Sequence, residues 1–481
     1  MGKLTTIFKD TAIYGLSSII GRFLNYLLVP LYTAQFSAAS GAYGIITNIY
    51  AYVALAMVLL TFGMETTYFR FTNKTHTDSE TVYGTTLITV GSISLLFAVL
   101  VLLLLSPISQ LMGYGDHPDY VGVMAVTIAI DAFLCIPFAH LRQQRKALKF
   151  AALKLLNIMV SILLNLIYFY FMDGKDVGYV FYINLVCTVM LAVCLITEYT
   201  GFRWKLDTKL LRTMLSYSWP ILVLGIAGIL NQTADKMLFP YIYKGSDMHA
   251  QLGIYGACSK IAMIMAMITQ AFRFAYEPIV FAGVKDKDQR EMYTKAMKYF
   301  IIFTLLAFLI VVGYIDLLKY IVRNPDYWVG LKVVPIVMAA EIMMGIYFNL
   351  SFWYKIIDKT IWGAVFSGIG CAVLLLVNII FVPKYGFMAC AWGGFAGYGV
   401  AMLASYFVGQ KYYPLNYPLK DIALYVCLTI VAFTVMVVVR DSQSLLVSLS
   451  VNTLFILLFL AVIIKRDLPM RKLPVMGKYF K

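Results

Sequence analysis

Long apolar stretches follow one another along almost the whole chain, broken only by short polar segments. A helix needs about twenty apolar residues to cross the hydrocarbon of a bilayer. On that measure fourteen spans fall at 10–32, 44–63, 83–105, 120–140, 151–171, 177–197, 215–240, 252–282, 298–313, 331–352, 360–382, 387–410, 420–439 and 445–464. The pattern predicts an all-α integral membrane protein with about fourteen transmembrane helices. The shortest span, 298–313, and the division between the last two are the least sharply marked.

Composition agrees with the pattern and excludes a soluble enzyme or a nucleic-acid-binding domain. Of 481 residues, 61% are hydrophobic and 13% charged, far from the usage of soluble domains. The net charge of +15 reads as topology. Cations gather after even-numbered spans: Arg142, Arg145, Lys146, Lys149 and Lys154; Arg203, Lys205, Lys209 and Arg212; Lys285, Lys287, Arg290, Lys295 and Lys298. The tail adds Lys465, Arg466, Arg471 and Lys472, while the segments after odd-numbered spans are nearly bare. Positive loops stay inside, so both termini are expected in the cytoplasm. The segment 314–332 runs against the rule with Lys319, Arg323 and Lys332.

The first half of the chain also recurs in the second. Gly15, Pro30, Tyr43-Gly44, Glu65 and Asp131 reappear in order as Gly225, Pro240, Tyr255-Gly256, Glu277 and Glu341, at offsets of 210 to 212 residues. A repeat of this length in a membrane protein predicts two pseudo-symmetric six-helix lobes, with a substrate site where they meet. The lobes are expected at 1–200 and 201–412, followed by two C-terminal helices and a basic tail at 413–481.

Covalent chemistry finds no support. The seven cysteines lie inside apolar spans without CxxC spacing, and the four histidines form no cluster. Neither a P-loop nor a glycine-rich nucleotide motif in context is present, so no cofactor is expected. Transport must then draw on an ion gradient, H+ or Na+, or on the substrate's own gradient. The N-terminal apolar run extends to about Thr33 and contains Arg22 and Asn25, too long and too polar for a cleaved signal.

Ionisable groups at membrane depth are costly and mark function. Arg22 lies near the middle of span one, and Asp131 and Glu341 occupy matching places in spans four and ten. Asp235 and Lys236 are neighbours in span seven; adjacent side chains point in different directions, so they are not expected to neutralise each other. Span eight holds Lys260, Arg273 and Glu277. Arg273 and Glu277 share a helix face and can pair with each other. Glu65 and Glu277 sit at span ends, where a structural role is expected. One arginine from each half, Arg22 and Arg273, suits a phosphate or pyrophosphate, because guanidinium stays charged and offers forked donors. Asn25, Lys260 and Lys236 complete the substrate-binding set. The competing reading pairs Arg22 with Asp131 or another buried acid.

Several stretches resemble a known family. Phe8–Gly15 with Leu28–Thr33, Met214–Pro220, Leu252–Gly256 and Asn378–Phe387 look like the corresponding segments of bacterial polysaccharide-unit flippases of the Wzx type. These belong to the superfamily of multidrug, oligosaccharidyl-lipid and polysaccharide exporters. The resemblance covers nearly the whole chain. It implies alternating access around a central cavity between two six-helix lobes, with essential arginines in the first and eighth helices, here Arg22 and Arg273. It also implies a tail groove formed by the last two helices, as in lipid II flippases. In those relatives a sodium ion binds between helix seven and helices eleven and twelve. Asp235 and Asn378 are the nearest candidates here, and with Asp131 and Glu341 they form the ion-coupling set. The multidrug branch commonly carries an acid inside helix one; here Arg22 and Asn25 stand at depth and Asp10 lies at the edge.

The sequence therefore points to a plasma-membrane flippase for undecaprenyl-pyrophosphate-linked oligosaccharide. Its expected partners are that lipid-linked substrate, membrane lipids, and polysaccharide polymerase and glycosyltransferases, with no nucleic acid. The alternatives are a multidrug cation antiporter and a non-transporting scaffold of envelope glycan synthesis. A scaffold has no reason to bury Arg22, Asp131 and Glu341.

Overall fold

The computed structural model describes residues 20–467 apart from 22, 25, 74–77, 201–203, 282–285 and 358. Fifteen helices carry the description that follows: α1 (Leu28–Gln35), α2 (Ala42–Thr61), α3 (Met64–Thr72), α4 (Ser79–Leu103), α5 (Pro118–Gln143), α6 (Ala147–Leu166), α7 (Gly178–Cys194), α8 (Thr208–Ile242), α9 (Met248–Phe281), α10 (Asp286–Gly313), α11 (Val333–Leu350), α12 (Ile361–Tyr385), α13 (Phe387–Tyr412), α14 (Leu419–Ser442) and α15 (Leu445–Arg466). Among the described residues, twelve spans are long and apolar enough to cross a membrane, and α7 is a shorter apolar helix of 17 residues. All the sequence-predicted spans except the first coincide with one of these thirteen. The first, 10–32, falls largely outside the described residues. The short prediction at 298–313 becomes a 24-residue span, Arg290–Gly313, because an amphipathic turn continues the helix beyond its apolar part.

Local chemistry marks the breaks. Asp78 caps α4 by accepting from the backbone N–H groups of Glu80 and Thr81, and Asp207 caps α8 through Lys209 and Leu210. Each satisfies two of the donors that a helix start leaves bare. Between α2 and α3 the chain turns at Phe62 and Gly63, both left-handed with φ of 49° and 65°. Pro137 lies inside α5, and Pro220 and Pro240 lie inside α8.

The chain forms two compact units. The first comprises Met1–Ala257 with Gly363–Gly393, and the second Cys258–Trp362 with Gly394–Lys481. The first unit is centred on Met64, Tyr68, Val82, Leu87, Ile136 and Met214, all fully or almost fully buried. Lipid is as apolar as leucine, so association within a membrane depends on close packing and polar contacts more than on transfer from water. Tyr83 accordingly donates to the Glu198 carbonyl at 2.7 Å, and Thr67 and Ser218 bond at 2.6 Å between α3 and α8.

In the second unit α14 and α15 pack on α10 through polar bonds at both ends. Lys298 pairs with Asp421 at 2.6 Å and with Asp467 at 2.5 Å, and Arg466 pairs with Asp421 at 2.5 Å. At the other end Asn452 donates to the Gly313 carbonyl at 2.7 Å, and Arg440 pairs with Asp316 at 2.9 Å. Asp316 also holds Lys319, at 3.2 Å. This accounts for one cation of the segment that broke the loop-charge pattern: Lys319 is compensated by its own neighbour and rests over the Trp328 ring at 4.7 Å.

Candidate functional site

In the first unit α8 brings Asp235 and Lys236 to a place where the sequence-based expectation fails. Asp235 is 5% exposed. Lys236 Nζ lies 3.0 Å from both of its carboxylate oxygens, and the Lys236 backbone N–H donates to Oδ1 at 2.9 Å. The two residues do neutralise each other. Their Cβ atoms diverge, but the lysine stem is long enough to fold back onto the preceding carboxylate. Tyr255 from α9 donates its hydroxyl to the second oxygen at 2.7 Å, and Lys236 Nζ also donates to the Gln232 carbonyl at 3.0 Å. A buried charge pair without such bonds would not recover its desolvation cost. The turn is fixed from α2, where Asn48 donates to the Lys236 carbonyl at 2.8 Å while accepting from Tyr114 at 2.7 Å.

Asn378 on α12 is 1% exposed, and neither of its amide atoms has a hydrogen-bond partner among the described residues. It lies against Gly393 of α13, where a Cβ would stand 2.9 Å from the asparagine oxygen. One turn earlier on α13, Cys390 lies within the electrostatic reach of Asp235 and Lys236. Thus α8, α12 and α13 gather Asp235, Lys236 and Asn378 around one stretch of α13. A buried amide whose bonds are unfilled among the described residues is a polar centre. Among the described residues no group of three or more His, Cys, Asp or Glu side chains could hold a metal.

Asp131 on α5 accepts from Thr188 of α7 at 3.1 Å. Lys154 of α6 lies within its electrostatic reach. Sequence reasoning counted Lys154 with the loop charges, yet α6 begins at Ala147 and carries it two turns inward. The signal was its place inside the apolar run 151–171. Glu65 pairs with Arg142 at 2.5 Å.

In the second unit Arg273 sets its guanidinium 5.0 Å over the Phe348 ring. Thr269, Arg273 and Tyr276 share one face of α9 and line a narrow crevice with Phe272, Phe300 and Asn349, with room for about one water. The Thr269 and Tyr276 hydroxyls are buried without partners among the described residues. The crevice combines a guanidinium, an aromatic wall and hydroxyl donors, groups that pair with phosphate oxygens and sugar hydroxyls, but in this structure it is closed to anything larger than a water. Lys260 on α9 and Glu341 on α11 are half-buried, and both engage other residues. Arg22 and Asn25 lie outside the described residues, as does the Glu277 side chain.

The family "Polysaccharide biosynthesis protein" matches residues 39–323, more than half of the chain. The chain belongs to the polysaccharide biosynthesis protein family. No curated relative matches it. Among solved structures it is similar to the lipid II flippase MurJ in an inward closed conformation, with a TM-score of 0.74 at 14% identity over 94% of this chain and 98% of that one. It is also similar to an inward-facing multidrug resistance MATE transporter of the MOP superfamily, with a TM-score of 0.64 at 14% identity over 83% and 94%. The MATE multidrug transporter DinF-BH gives 0.60 at 16% identity over 83% and 94%. At such identities the likeness is one of fold. Family and fold together make this a polysaccharide biosynthesis membrane protein with a fold like that of MurJ and the MATE transporters.

Proposed function

We propose that this protein flips undecaprenyl-pyrophosphate-linked oligosaccharide repeat units across the bacterial plasma membrane by alternating access. The observation that carries the reading is the extent of the MurJ likeness. It reaches 94% of the chain against 83% for the MATE and DinF-BH transporters. The last two helices, α14 and α15, are suited to hold a lipid tail while a headgroup passes.

In this reading six-helix lobes at 1–200 and 201–412 flank the cavity, 413–481 carries the last two of fourteen spans, and both termini are cytoplasmic. Arg22, Arg273, Lys260, Asn25 and Lys236 bind the pyrophosphate and sugars. Asp131, Glu341, Asp235 and Asn378 couple transport to H+ or Na+. Polymerase and glycosyltransferases are the expected partners. The test is complementation of a strain lacking its own repeat-unit flippase. Restored surface glycan supports the reading. Expression and insertion without glycan, accompanied by efflux of cationic dyes, would favour the multidrug reading that the MATE likeness also allows.

A further inference from the structure

Pro240 lies inside α8, and a proline has no N–H to give to the carbonyl four residues earlier. That carbonyl belongs to Lys236. The proline ring also crowds it. A buried carbonyl left bare in a membrane protein is costly. The remedy comes from α2, which packs along α8: Asn48 donates to the Lys236 carbonyl at 2.8 Å. The orientation of its amide is settled from the other side, where Tyr114 donates to Asn48 Oδ1 at 2.7 Å. The oxygen is thereby committed as acceptor, and the amide hydrogens face the carbonyl. Asn48 is 1% exposed and Tyr114 4%.

A second tie runs beside the first. Tyr52 stands one turn after Asn48 on α2. Its hydroxyl lies 3.3 Å from the Met237 carbonyl and 3.0 Å from the Tyr241 hydroxyl, and Tyr241 donates to the Leu111 carbonyl at 3.2 Å. Both ties join α2 and α8 to the stretch 111–114, where Gly113 turns with a φ of 81°. The Lys236 ammonium depends on this backbone being fixed. It has three hydrogens and three acceptors at 3.0 Å, the two Asp235 carboxylate oxygens and the Gln232 carbonyl. The Lys236 backbone N–H holds the same carboxylate at 2.9 Å. The lysine thus folds back along one turn of α8 as a frame. Pro240 weakens that frame at Lys236, and Asn48 repairs it there.

From this geometry we propose that Asn48 is a positioning residue for the Asp235–Lys236 pair. It stands in for the N–H missing at Pro240, and Tyr114 orients it. The inference rests on the reading in which Asp235 couples transport to an ion, and goes beyond it by naming what holds Asp235 and Lys236 together. With Asn48 in place the Lys236 carbonyl is fixed, the ammonium stays on the carboxylate, and the pair is tied to 111–114. Without Asn48 the turn shifts, and the ammonium leaves the carboxylate more often.

The experiment uses the full-length protein, in lipid nanodiscs for labelling and in vesicles for export. The Lys236 side chain is 23% exposed, so a small water-soluble acetylating ester reaches it, and mass spectrometry gives its rate of modification. Asn48→Leu should speed acetylation of Lys236 about tenfold, the factor expected of leaving one buried carbonyl bare. Lys149 and Lys298, ion-paired elsewhere, should react as in wild type. An asparagine that only stabilised the fold would expose all three lysines together. Pro240→Ala returns an N–H to position 240, so Asn48→Leu/Pro240→Ala should fall back to near the wild-type rate. If Asn48→Leu fails to insert, Tyr114→Phe keeps the amide but removes its orienting bond, and should raise the Lys236 rate by a smaller factor. Export is measured under imposed proton and sodium gradients. Equal Lys236 rates in wild type, Asn48→Leu and Tyr114→Phe, or a double variant as reactive as Asn48→Leu, overturn the proposal and leave the flippase reading intact. Rates that change as expected in a protein whose export ignores both gradients support the positioning role and defeat the coupling reading instead.

Discussion

Gly44 and Gly253 bring α2 and α9 together backbone to backbone: a Cβ on Gly253 would stand 2.9 Å from the Gly44 nitrogen, and a Cβ on Gly44 would collide with the His249 carbonyl. Gly256 packs against the side chain of Thr47. Gly44 and Gly256 belong to the Tyr-Gly pairs that recur in the two halves of the sequence. Small residues are what a membrane helix pair needs for close approach. Gly44→Leu and Gly253→Leu should each cost about 1–3 kcal/mol by overpacking, seen as a lower melting temperature in detergent. Gly228→Ala is the control, since nothing lies within 4 Å of its added Cβ; it should melt no lower than wild type.

Lys236 is predicted to matter through Asp235. Lys236→Met leaves a buried carboxylate with Tyr255 as its remaining side-chain partner. Breaking a buried pair costs about 3–5 kcal/mol, reduced here because the lysine side chain is 23% exposed. The double variant Asp235→Asn/Lys236→Met should recover most of that loss. A double variant as unstable as the sum of the single ones would show that the two act independently.

Arg273→Ala should abolish export while the protein still folds and inserts, because the guanidinium rests on the Phe348 face and lines a crevice rather than a core. Arg273→Lys should retain part of the activity, since an ammonium lacks the forked donors. Degradation of both variants would assign the residue to structure. Arg22→Ala is expected to behave as Arg273→Ala does.

Lys298 joins α10 to both C-terminal helices through Asp421 and Asp467. Lys298→Met should loosen α14 and α15, read as faster proteolysis of the C-terminal segment, while insertion of the rest persists. Restoring the charge as Lys298→Arg should recover most of the protection. Equal proteolysis in all three proteins would mean that Asn452 and Arg440 suffice to hold the pair.

The turn between α8 and α9 provides a pH dependence. Gln251 donates to Asp247 at 2.7 Å and Tyr243 at 2.9 Å, and these bonds hold the Asp247 carboxyl below the usual carboxylate range. A pKa depressed on folding contributes stability above the unfolded value, and this is lost as pH falls through the folded one. The melting difference between wild type and Asp247→Asn should therefore shrink on acidification. A difference constant with pH would remove Asp247 from the account.

Legibility in the sequence followed the range of the interaction. Spans such as 44–63 and 387–410 were readable because hydrocarbon thickness acts on each segment alone, and Asp131 and Asp235 stood out because charge is rare in apolar runs. The Asp235–Lys236 pair was misread because a rule about Cβ directions says nothing of how far a lysine reaches. Lys154 was overlooked because the depth of a residue near a span end depends on where the helix starts, and α6 starts at Ala147 rather than 151.

The sequence by itself determined the class, the order of the helices and the family, because apolar length, charge alternation and short motifs are local quantities. Only the tertiary structure decided the partners: Tyr255 for Asp235, Thr188 for Asp131, Asp467 for Lys298, and the glycine contact of α2 with α9. Each of these joins residues from different helices. Their bonds form only when packing brings the helices to one crossing, and no periodicity along a single segment encodes where that crossing falls.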